Sequence, residues 1–441
     1  MFGTSGIRGI YGRDVTEELA GKIANVFAER TLAVGRDLRK SGVPLSRAVV
    51  EGAQEAGSDI IELGIVPTPT LALATSKHAC RGIMVTASHN PPEYNGLKLI
   101  EAGKEIGKDM EKEVVMRYNG ARKGAPEKGG LVHDSSVLDG HKAMVTQLVD
   151  TATIARKRPK VLVDCNGAAA VITPYLLTDL GCRVTSLNAS TECFNRPSEP
   201  SAENLAYLSE LVRRTGADFA IAHDGDGDRC AVIDDEGGML PLDVQLAIMI
   251  THELEGSRNK RVVSTVEASL VVRDVVENAG GRMEITPVGS TYVGDRLEAT
   301  GALFGGEPCG EYIYAAGVHV PDAVLAAAKF AEIFCRKGPL SELRKHYKQN
   351  FMVREKFQAK GKNAAMAGIK KAVDASGIEG TVRSDDGIRV DENDGWFLIR
   401  ASGTEPIIRL TMEYKTKEKL GEREKELRAL IMKNLWQTVT A

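Results

Sequence analysis

The chain has 441 residues, too many for one hydrophobic core, and its length suggests roughly three domains. It is 43% hydrophobic and 27% charged, which is ordinary for a soluble protein, and no apolar run approaches the roughly 18–20 residues that span a bilayer. The net charge of −3 argues against a nucleic-acid or membrane partner, and seven scattered cysteines without a C-x-x-C pair predict reduced thiols and a cytoplasmic location.

The first predicted elements alternate between strand and helix. Thr16 is a predicted helix cap, because apolar residues follow it with helical spacing from Leu19 to Phe27. The segment TLAVGRD then has the pattern of a strand and loop, residues 46–56 that of a helix, and DIIELG that of another strand. This alternation predicts a parallel or mixed sheet covered by helices.

Two further blocks repeat this alternation. The second begins at PKVLVDCNG (159–167) and continues through DFAIAHDGDGDR (218–229). The third begins at KRVVSTV (260–266) and runs to a helix at DAVLAAAKFAEIF (322–334). Each block has an apolar strand that leads into a loop rich in Gly, Asp or Ser, which predicts three related α/β units.

The last ninety or so residues have a different pattern. FMVREKF, GTVRSDDGIRVDE, GWFLIRAS and IIRLTMEY are predicted antiparallel strands joined by turns. A terminal helix follows, with one apolar stripe formed by Leu420, Leu427, Ile431 and Leu435. We therefore predict α/β domains followed by an α+β domain, with the ranges 1–150, 151–253, 254–350 and 351–441.

The segment MVTASHNPPEYNGLKL leaves an apolar strand and presents a serine on a loop. Pro91 and Pro92 restrict this loop. Ser88, His89 and Lys98 offer a hydroxyl, an imidazole and an amine within a short stretch, which suits a nucleophile with acid/base help. The alternative is a serine that only caps a turn; a hydrolase elbow is disfavoured, because no G-x-S-x-G motif is present.

The segment HDGDGDR places three carboxylates at alternate positions. Asp224, Asp226 and Asp228 would repel one another without a cation, and hard oxygen ligands favour Mg²⁺ or Ca²⁺ over zinc. An EF-hand is excluded because Arg229 occupies its glycine position and Asp235 its twelfth. The alternative is an acidic surface turn.

Two other segments suit a phosphorylated sugar. In RASGTEPIIR, hydroxyls and backbone N–H groups between two arginines form a predicted phosphate cradle (Arg400, Ser402, Gly403, Thr404 and Arg409). In GGEPCGEY, Glu307, Cys309 and Glu311 lie on a glycine-rich loop where carboxylates can accept hydrogen bonds from sugar hydroxyls. A plain strand–turn–strand and an ordinary turn are the respective alternatives.

These segments, in this order, resemble the α-D-phosphohexomutase superfamily over essentially the whole chain. Further matches are FGTSGIRG at the N-terminus, VGRD at 34–37 and TPVGSTYVGD at 286–295. The resemblance implies four domains around a central cleft: three mixed α/β domains and a C-terminal domain of TATA-binding-protein-like shape.

The resemblance also implies roles for individual residues. Ser88 would carry a phosphoryl group and complete a Mg²⁺ site with Asp224, Asp226 and Asp228. Lys98 would move the sugar hydroxyl proton. His89 and Asn90 would help to position the site, and Arg8 and Arg229 would be neighbours of the phosphoserine. The sugar loop would use Glu307 and Cys309, and the phosphate loop Arg400, Ser402, Gly403, Thr404 and Arg409.

The implied activity is interconversion of hexose 6-phosphate and hexose 1-phosphate through a bisphosphorylated intermediate, with hexose 1,6-bisphosphate as activator.

The sugar loop departs from the common G-E-x-S-G-H of bacterial members, because Cys309 replaces the serine and Glu311 the histidine. Its G-E-P-x-G form is typical of archaeal phosphoglucosamine mutase-like chains, so we expect glucosamine phosphate as substrate. Phosphomannomutase/phosphoglucomutase activity, a phosphatase and a non-catalytic sugar-phosphate sensor remain alternatives. The oligomeric state is not predicted.

Overall fold

The computed structural model describes residues 2–3, 5–120, 124–359, 361–402 and 406–439. Within these ranges the strands form four successive sheets, each with its own helices. The first three are mixed sheets and the last is antiparallel, which confirms the predicted fold class. The domain boundaries near 150, 253 and 350 stay a prediction. In the described part of the chain, every helix is too short or too polar to cross a bilayer.

The first sheet carries the serine loop. Its strands are β1 Ile7–Ile10, β2 Thr31–Arg36, β3 Asp59–Ile65, β4 Arg81–Val85, β5 Tyr94–Glu101, β6 Lys104–Glu105 and β7 Leu131–His133. The helices are α1 Glu17–Phe27, α2 Gly42–Glu55, α3 Thr68–Lys77, α4 Lys108–Tyr118 and α5 Ser136–Gln147; the next helix, α6 Thr151–Lys157, instead packs through Ile154 on the core of the second and third sheets. The strand order is β1-β5-β4-β2-β3-β7, with β6 beside β5; β2 is parallel to β3 and β4, whereas β5 is antiparallel to β1 and β4.

The second and third sheets share one hydrophobic core cluster, which continues from Val145 to Leu340. The second sheet has the order β11-β10-β8-β9. Its elements are β8 Lys160–Asp164, a 3₁₀ turn Ala168–Val171, α7 Thr173–Asp179, β9 Arg183–Leu187, α8 Ala206–Thr215, β10 Phe219–His223, β11 Cys230–Ile233 and α9 Leu242–Leu254.

The third sheet has the order β13-β12-β14-β15, and its last two strands form a hairpin. Its elements are β12 Arg261–Thr265, α10 Leu270–Asn278, β13 Arg282–Thr286, α11 Ser290–Thr300, β14 Phe304–Glu307, β15 Glu311–Tyr314, α12 Ala323–Lys337 and α13 Leu340–Arg344. The predicted helix at 322–334 is present, and Asp322 caps it by accepting a hydrogen bond from the Leu325 N–H at 2.9 Å.

The fourth sheet has the order β16-β20-β19-β18-β17 and is covered by two helices. Its elements are β16 Phe351–Gln358, α14 Lys362–Ala375, β17 Thr381–Arg383, β18 Ile388–Glu392, β19 Gly395–Ala401, β20 Ile407–Tyr414 and α15 Lys417–Val439. The predicted apolar stripe of α15 packs on this sheet, where Leu427 and Ile431 are fully buried.

Two local predictions need correction. The helix predicted at 46–56 begins at Gly42, because Pro44 can occupy a first helical turn, where its missing N–H has no partner to lose. The segment GTVRSDDGIRVDE is a hairpin of two strands rather than a single strand, and Gly387 at its turn has φ of +84°. Elsewhere, Thr16 caps α1 as predicted, since its Oγ1 accepts from the Leu19 N–H at 3.2 Å.

Candidate functional site

Ser88 lies three residues beyond the end of β4, at the carboxyl end of this strand. It has φ of +50°, in the left-handed region that residues other than glycine seldom occupy, and it is 1% exposed. Its Oγ donates a hydrogen bond to Asp224 Oδ2 at 2.7 Å and lies 3.3 Å from His89 Nδ1. The serine hydroxyl therefore points at the acidic cluster of another sheet rather than at solvent.

The acidic cluster occupies the turn between β10 and β11. One carboxylate oxygen from each of Asp224, Asp226 and Asp228 lies within 4.8 Å of the others, and all three residues are buried. Gly227 has φ of +68°, which allows the turn to bring the side chains together. Gly225 is needed for another reason, because a Cβ there would lie 2.6 Å from the Ser88 carbonyl oxygen.

The charges of this cluster are not balanced by hydrogen bonds alone. Burial, with the neighbouring Asp228 and Asp226 carboxylates, raises the pKa of Asp224 well above its usual range. Burial and Asp226 likewise raise the pKa of Asp228 to about 6. Among the described residues, Asp226 Oδ1 and Asp228 Oδ1 are buried without a hydrogen-bond partner. A set of carboxylate oxygens of this kind fits a hard divalent cation such as Mg²⁺.

Lys98 reaches the same cluster from β5. It is 1% exposed, and its Nζ lies 2.8 Å from Asp226 Oδ2 and 2.5 Å from Asp228 Oδ2. Burial by itself would lower the pKa of Lys98, but Asp226 and Asp228 outweigh it and the pKa is raised. Thr68 Oγ1 donates to Asp226 at 2.6 Å. In this arrangement Lys98 is an ammonium ion that offsets part of the cluster's negative charge.

The predicted neighbours of Ser88 bring positive charge close to His89. The Arg229 N–H donates to Asp224 Oδ1 at 3.2 Å, and Arg8 on β1 has a buried Nε without a partner among the described residues. Burial first, then the charges of Arg229 and Arg8, lower the pKa of His89 to about 2. His89 is therefore a neutral imidazole beside Ser88 at physiological pH.

The predicted sugar loop is the hairpin of β14 and β15, in which Glu307 and Glu311 are directly paired. Glu311 Oε1 lies 2.7 Å from Arg229 Nη2, so the hairpin is bound to the turn that carries the acidic cluster. Burial and the neighbouring Glu311 raise the pKa of Glu307 well above its usual range. Glu307 Oε2 accepts a hydrogen bond from the Gly289 N–H at 3.2 Å. Cys309 lies at the tip of this hairpin, and burial raises the pKa of its thiol.

The predicted phosphate loop lies on the fourth sheet. Arg400 on β19 is paired in register with Arg409 on β20, and Arg400 Nε donates to Asp386 Oδ1 at 2.8 Å. Ser402 is 5% exposed, and its N–H donates to the Ile407 carbonyl at 2.9 Å. Gly403 and Thr404 lie outside the described residues.

The structure thus brings two groups of predicted residues together separately. One group consists of Ser88, the acidic cluster, Lys98, Arg8, Arg229 and the sugar hairpin. The other consists of Arg400, Arg409 and Ser402, whose sheet contacts the third sheet: Asp386 Oδ2 accepts from the Val288 N–H at 2.9 Å.

Sequence reasoning missed several residues that support the site. Arg39 donates to the Ser88 carbonyl at 2.8 Å, and Asp37 accepts from Arg39 Nε at 3.0 Å. Ser198 Oγ donates to the same Ser88 carbonyl at 2.9 Å. Of these, only Asp37 belongs to a motif that the sequence analysis matched, VGRD. The residue types of this motif did not predict that it supports Ser88. Asp386 could not be found either, because it lies in an ordinary acidic turn.

Comparison with known families covers most of the chain. Models described as phosphoglucomutase/phosphomannomutase alpha/beta/alpha domains I, II and III match residues 1–124, 139–237 and 242–351. The model of the phosphoglucomutase/phosphomannomutase C-terminal domain matches residues 350–430.

Individual proteins are similar over their full length. A probable phosphoglucosamine mutase of Methanopyrus kandleri is 37% identical, with 96% of this chain and 95% of that protein covered. A phosphoglucomutase/phosphomannomutase of Thermococcus kodakarensis is 35% identical, with 96% of both chains covered. A crystal structure of a phosphoglucomutase/phosphomannomutase family protein from Burkholderia thailandensis superposes with a TM-score of 0.87 at 25% identity, covering 98% of this chain and 97% of that one.

Proposed function

The chain belongs to the phosphoglucomutase/phosphomannomutase family of the α-D-phosphohexomutase superfamily and is an enzyme of the phosphohexomutase class, and we propose that it interconverts glucosamine 6-phosphate and glucosamine 1-phosphate. The observation that best supports this proposal is the 2.7 Å hydrogen bond between Ser88 Oγ and Asp224, because a serine hydroxyl beside a buried acidic cluster is suited to act as a nucleophile.

Ser88 is the proposed carrier of the phosphoryl group. As the group passes to the sugar, the bond from phosphorus to Ser88 Oγ breaks and a bond to a sugar oxygen forms. Lys98 is the proposed proton relay: as an ammonium ion it gives a proton to the Ser88 oxygen and receives one from the sugar hydroxyl. Arg8 and Arg229 offset the negative charge of the phosphoryl group near Ser88. Neutral His89 orients the Ser88 oxygen.

Asp224, Asp226 and Asp228 would hold Mg²⁺ together with an oxygen of the phosphorylated Ser88. When bound, Mg²⁺ would offset negative charge on the phosphoryl oxygens as a Lewis acid. The donor set supports this assignment, because two carboxylate oxygens of the cluster are buried without partners among the described residues.

Substrate binding is assigned to the sugar hairpin and the phosphate loop. Arg400, Ser402 and Arg409 would hold the phosphate that is not reacting, and Gly403 and Thr404 are proposed with them from the motif alone. A hexose 1,6-bisphosphate would act both as intermediate and as the activator that phosphorylates Ser88.

The choice of glucosamine is supported by charge. Glu307 and Glu311 are two buried carboxylates, and Arg229 offsets one of them directly. Glucosamine phosphates carry an ammonium group that glucose and mannose phosphates lack, and this group can offset the second carboxylate. The probable phosphoglucosamine mutase of Methanopyrus kandleri, among the relatives, supports the same choice.

The test is a coupled assay of the purified chain with glucosamine, N-acetylglucosamine, glucose and mannose phosphates, with and without Mg²⁺. We expect the highest kcat/KM with glucosamine phosphate, and loss of activity in Ser88→Ala. Preference for mannose or glucose phosphate would favour phosphomannomutase/phosphoglucomutase activity. Phosphate release faster than isomerisation would indicate a phosphatase. Full mutase activity of Ser88→Ala would disprove the carrier role.

A further inference from the structure

The Ser88 peptide is held at both its N–H and its carbonyl group. The N–H donates to Thr86 Oγ1 at 2.8 Å, and the carbonyl accepts from Arg39 Nη2 at 2.8 Å and from Ser198 Oγ at 2.9 Å. Ser88 has φ of +50°, a conformation that a serine adopts only when its surroundings favour it. The three hydrogen bonds therefore stabilise the backbone conformation from which Ser88 Oγ reaches Asp224.

Arg39 supplies most of the support for the rest of this loop. Its side chain is fully buried, and Nη1 and Nη2 also donate to the carbonyl oxygens of Asn90 at 2.7 Å, Pro91 at 2.6 Å and Tyr94 at 2.9 Å. A planar guanidinium with five N–H donors can serve four carbonyl groups in different directions at once. A lysine ammonium could keep the charge but not this pattern of hydrogen bonds.

Asp37 joins Arg39 to the other side of the Ser88 peptide. Asp37 Oδ2 accepts from Arg39 Nε at 3.0 Å and from Thr86 Oγ1 at 2.7 Å. The hydrogen bonds therefore form a closed buried ring from Arg39 through Asp37 and Thr86 to Ser88 and back to Arg39. The phenyl group of Phe194 packs over the Arg39 guanidinium, with its centroid 5.4 Å from Arg39 Cζ.

We propose that Arg39 is a positioning residue that holds Ser88 in its left-handed conformation, and so sets the rate at which Ser88 accepts and returns the phosphoryl group. This inference rests on the proposed function of Ser88. The hydrogen bonds of Arg39 go to Asp37 and the serine loop, whereas the sugar hairpin and the phosphate loop are held by other residues. Loss of Arg39 should therefore lower kcat without raising KM.

The test compares Arg39→Lys with a matched control, Arg81→Lys. Arg81 is also buried and paired with carboxylates, Glu29 at 2.9 Å and Glu101 at 2.7 Å, but it lies at the opposite end of β4 from Ser88. Each full-length protein is incubated with glucose 1,6-bisphosphate, and the gain of phosphate is followed by intact mass. kcat and KM are measured with glucosamine 6-phosphate, and hydrogen exchange is measured over residues 86–94.

We expect Arg39→Lys to slow phosphorylation and to lower kcat by about a hundredfold, the effect of displacing a reacting group by about 1 Å, with KM within about twofold. Exchange over residues 86–94 should increase. Arg81→Lys should leave phosphorylation, kcat and this exchange unchanged, even if both variants melt at a lower temperature. Added guanidinium at millimolar concentration should restore part of the rate in Arg39→Ala but not in Ser88→Ala.

The outcomes separate the two hypotheses. A wild-type chain that gains no phosphate on Ser88 overturns the proposed function. A wild-type chain that gains it, with Arg39→Lys equal to Arg81→Lys in rate and exchange, overturns the role of Arg39 alone. If Arg39→Lys does not fold, Asp37→Asn replaces it, because an amide cannot accept from both Arg39 Nε and Thr86 Oγ1 as the Asp37 carboxylate does and so loosens Arg39 itself. The expected fall in kcat is then about tenfold, and an unchanged kcat overturns the inference.

Discussion

At the scale of single residues, the reacting centre is a set of buried charges that depend on one another. Lys98 and Thr68 stabilise the negative charge of Asp226, whereas burial and both neighbouring aspartates destabilise the negative charge of Asp224. The carboxylates are thus not equivalent, although the sequence presents them as a regular repeat. Of the three, Asp224 is the carboxylate whose negative charge destabilises the folded state most when no cation is bound.

Replacement of Asp224 by Asn tests this assignment. We expect Asp224→Asn to weaken Mg²⁺ binding and to lower activity by tenfold or more, because it removes an anionic ligand. In EDTA the melting temperature should be equal to or above that of the wild type, because repulsion within the cluster is relieved. Calorimetric titration with Mg²⁺ and thermal melting in EDTA measure the two effects.

The control is Asp234→Asn, a buried aspartate at the other end of β11. This variant should keep Mg²⁺ affinity. Turnover by the wild type that is insensitive to EDTA would contradict the metal assignment.

At the scale of secondary-structure elements, the hairpin of β14 and β15 connects the proposed sugar-binding residues to the acidic cluster. A backbone bridge joins Arg229 to Glu311, and the Cys230 N–H donates to the Gly310 carbonyl at 3.1 Å. The hairpin is therefore built onto the turn that carries the acidic cluster. A change in the hairpin should alter substrate choice and also the position of Arg229.

The double variant Cys309→Ser with Glu311→His restores the common bacterial pattern of this hairpin. We expect it to change the ratio of kcat/KM for glucosamine phosphate over glucose phosphate by about tenfold, since single contacts discriminate by about 1–3 kcal/mol. The direction should be against glucosamine, because loss of Glu311 frees Arg229 to offset Glu307, the carboxylate that the substrate ammonium is proposed to offset. Cys309→Ser alone, which keeps Glu311, is the control. If the double variant ranks the substrates in the same order and by the same ratios as the wild type, selectivity is determined by residues outside this hairpin.

At the scale of the whole molecule, the fourth sheet is attached to the third by a small apolar cluster, formed by Val266, Leu270, Trp396 and Leu398, and by a few buried polar contacts. Arg389 donates to the Ala268 carbonyl at 3.0 Å, and Glu413 accepts from the Leu270 N–H at 2.8 Å. Asp386 links Arg400 to the Val288 N–H. Because this attachment is small compared with the shared core of the second and third sheets, the fourth sheet is the part best suited to move as a unit.

Such movement fits a mechanism in which one serine serves both ends of a sugar. The bisphosphorylated intermediate must turn around, and Arg400 would hold whichever phosphate is not reacting. We expect Arg400→Ala to weaken use of the 1-phosphate and the 6-phosphate by similar factors, tenfold or more, since a charged phosphate contact contributes roughly 1.5–3 kcal/mol. More bisphosphate should be released during turnover.

Kinetics in both directions, with released bisphosphate measured alongside, check this expectation. The control is Arg354→Ala, an arginine on the fourth sheet with a 60% exposed side chain. A defect in one direction only would mean that two separate anchors exist.

A pH effect is expected where the second, third and fourth sheets meet. Burial raises the pKa of Asp243 to about 6, although Arg354 lies 3.7 Å away. A carboxyl group with a raised pKa in the fold stabilises the fold at low pH, and this stabilisation is lost as pH rises from about 4 through 6. Asp243→Asn should therefore be more stable than the wild type above pH 6, by up to about 3 kcal/mol, with the difference vanishing near pH 4.

Thermal melting between pH 4 and 7.5 measures this difference. Asp274→Asn, at a half-exposed carboxylate on α10, is the control and should show no such dependence. A constant difference between Asp243→Asn and the wild type over this range would contradict the assigned cause.

The sequence by itself determined the local features of this protein. Alternating strand and helix patterns predicted the fold class, and the contiguous segments around Ser88, Asp224 and Glu307, through their resemblance to a known family, predicted the enzyme class. This was possible because hydrophobic period and motif spacing are local properties of the chain. Only the tertiary structure decided which distant residues meet: Arg39 and Ser88 are 49 positions apart, Arg229 and Glu311 82, and Lys98 and Asp228 130. Such contacts depend on strand register and on how whole sheets pack, and neither can be predicted from a short stretch of sequence.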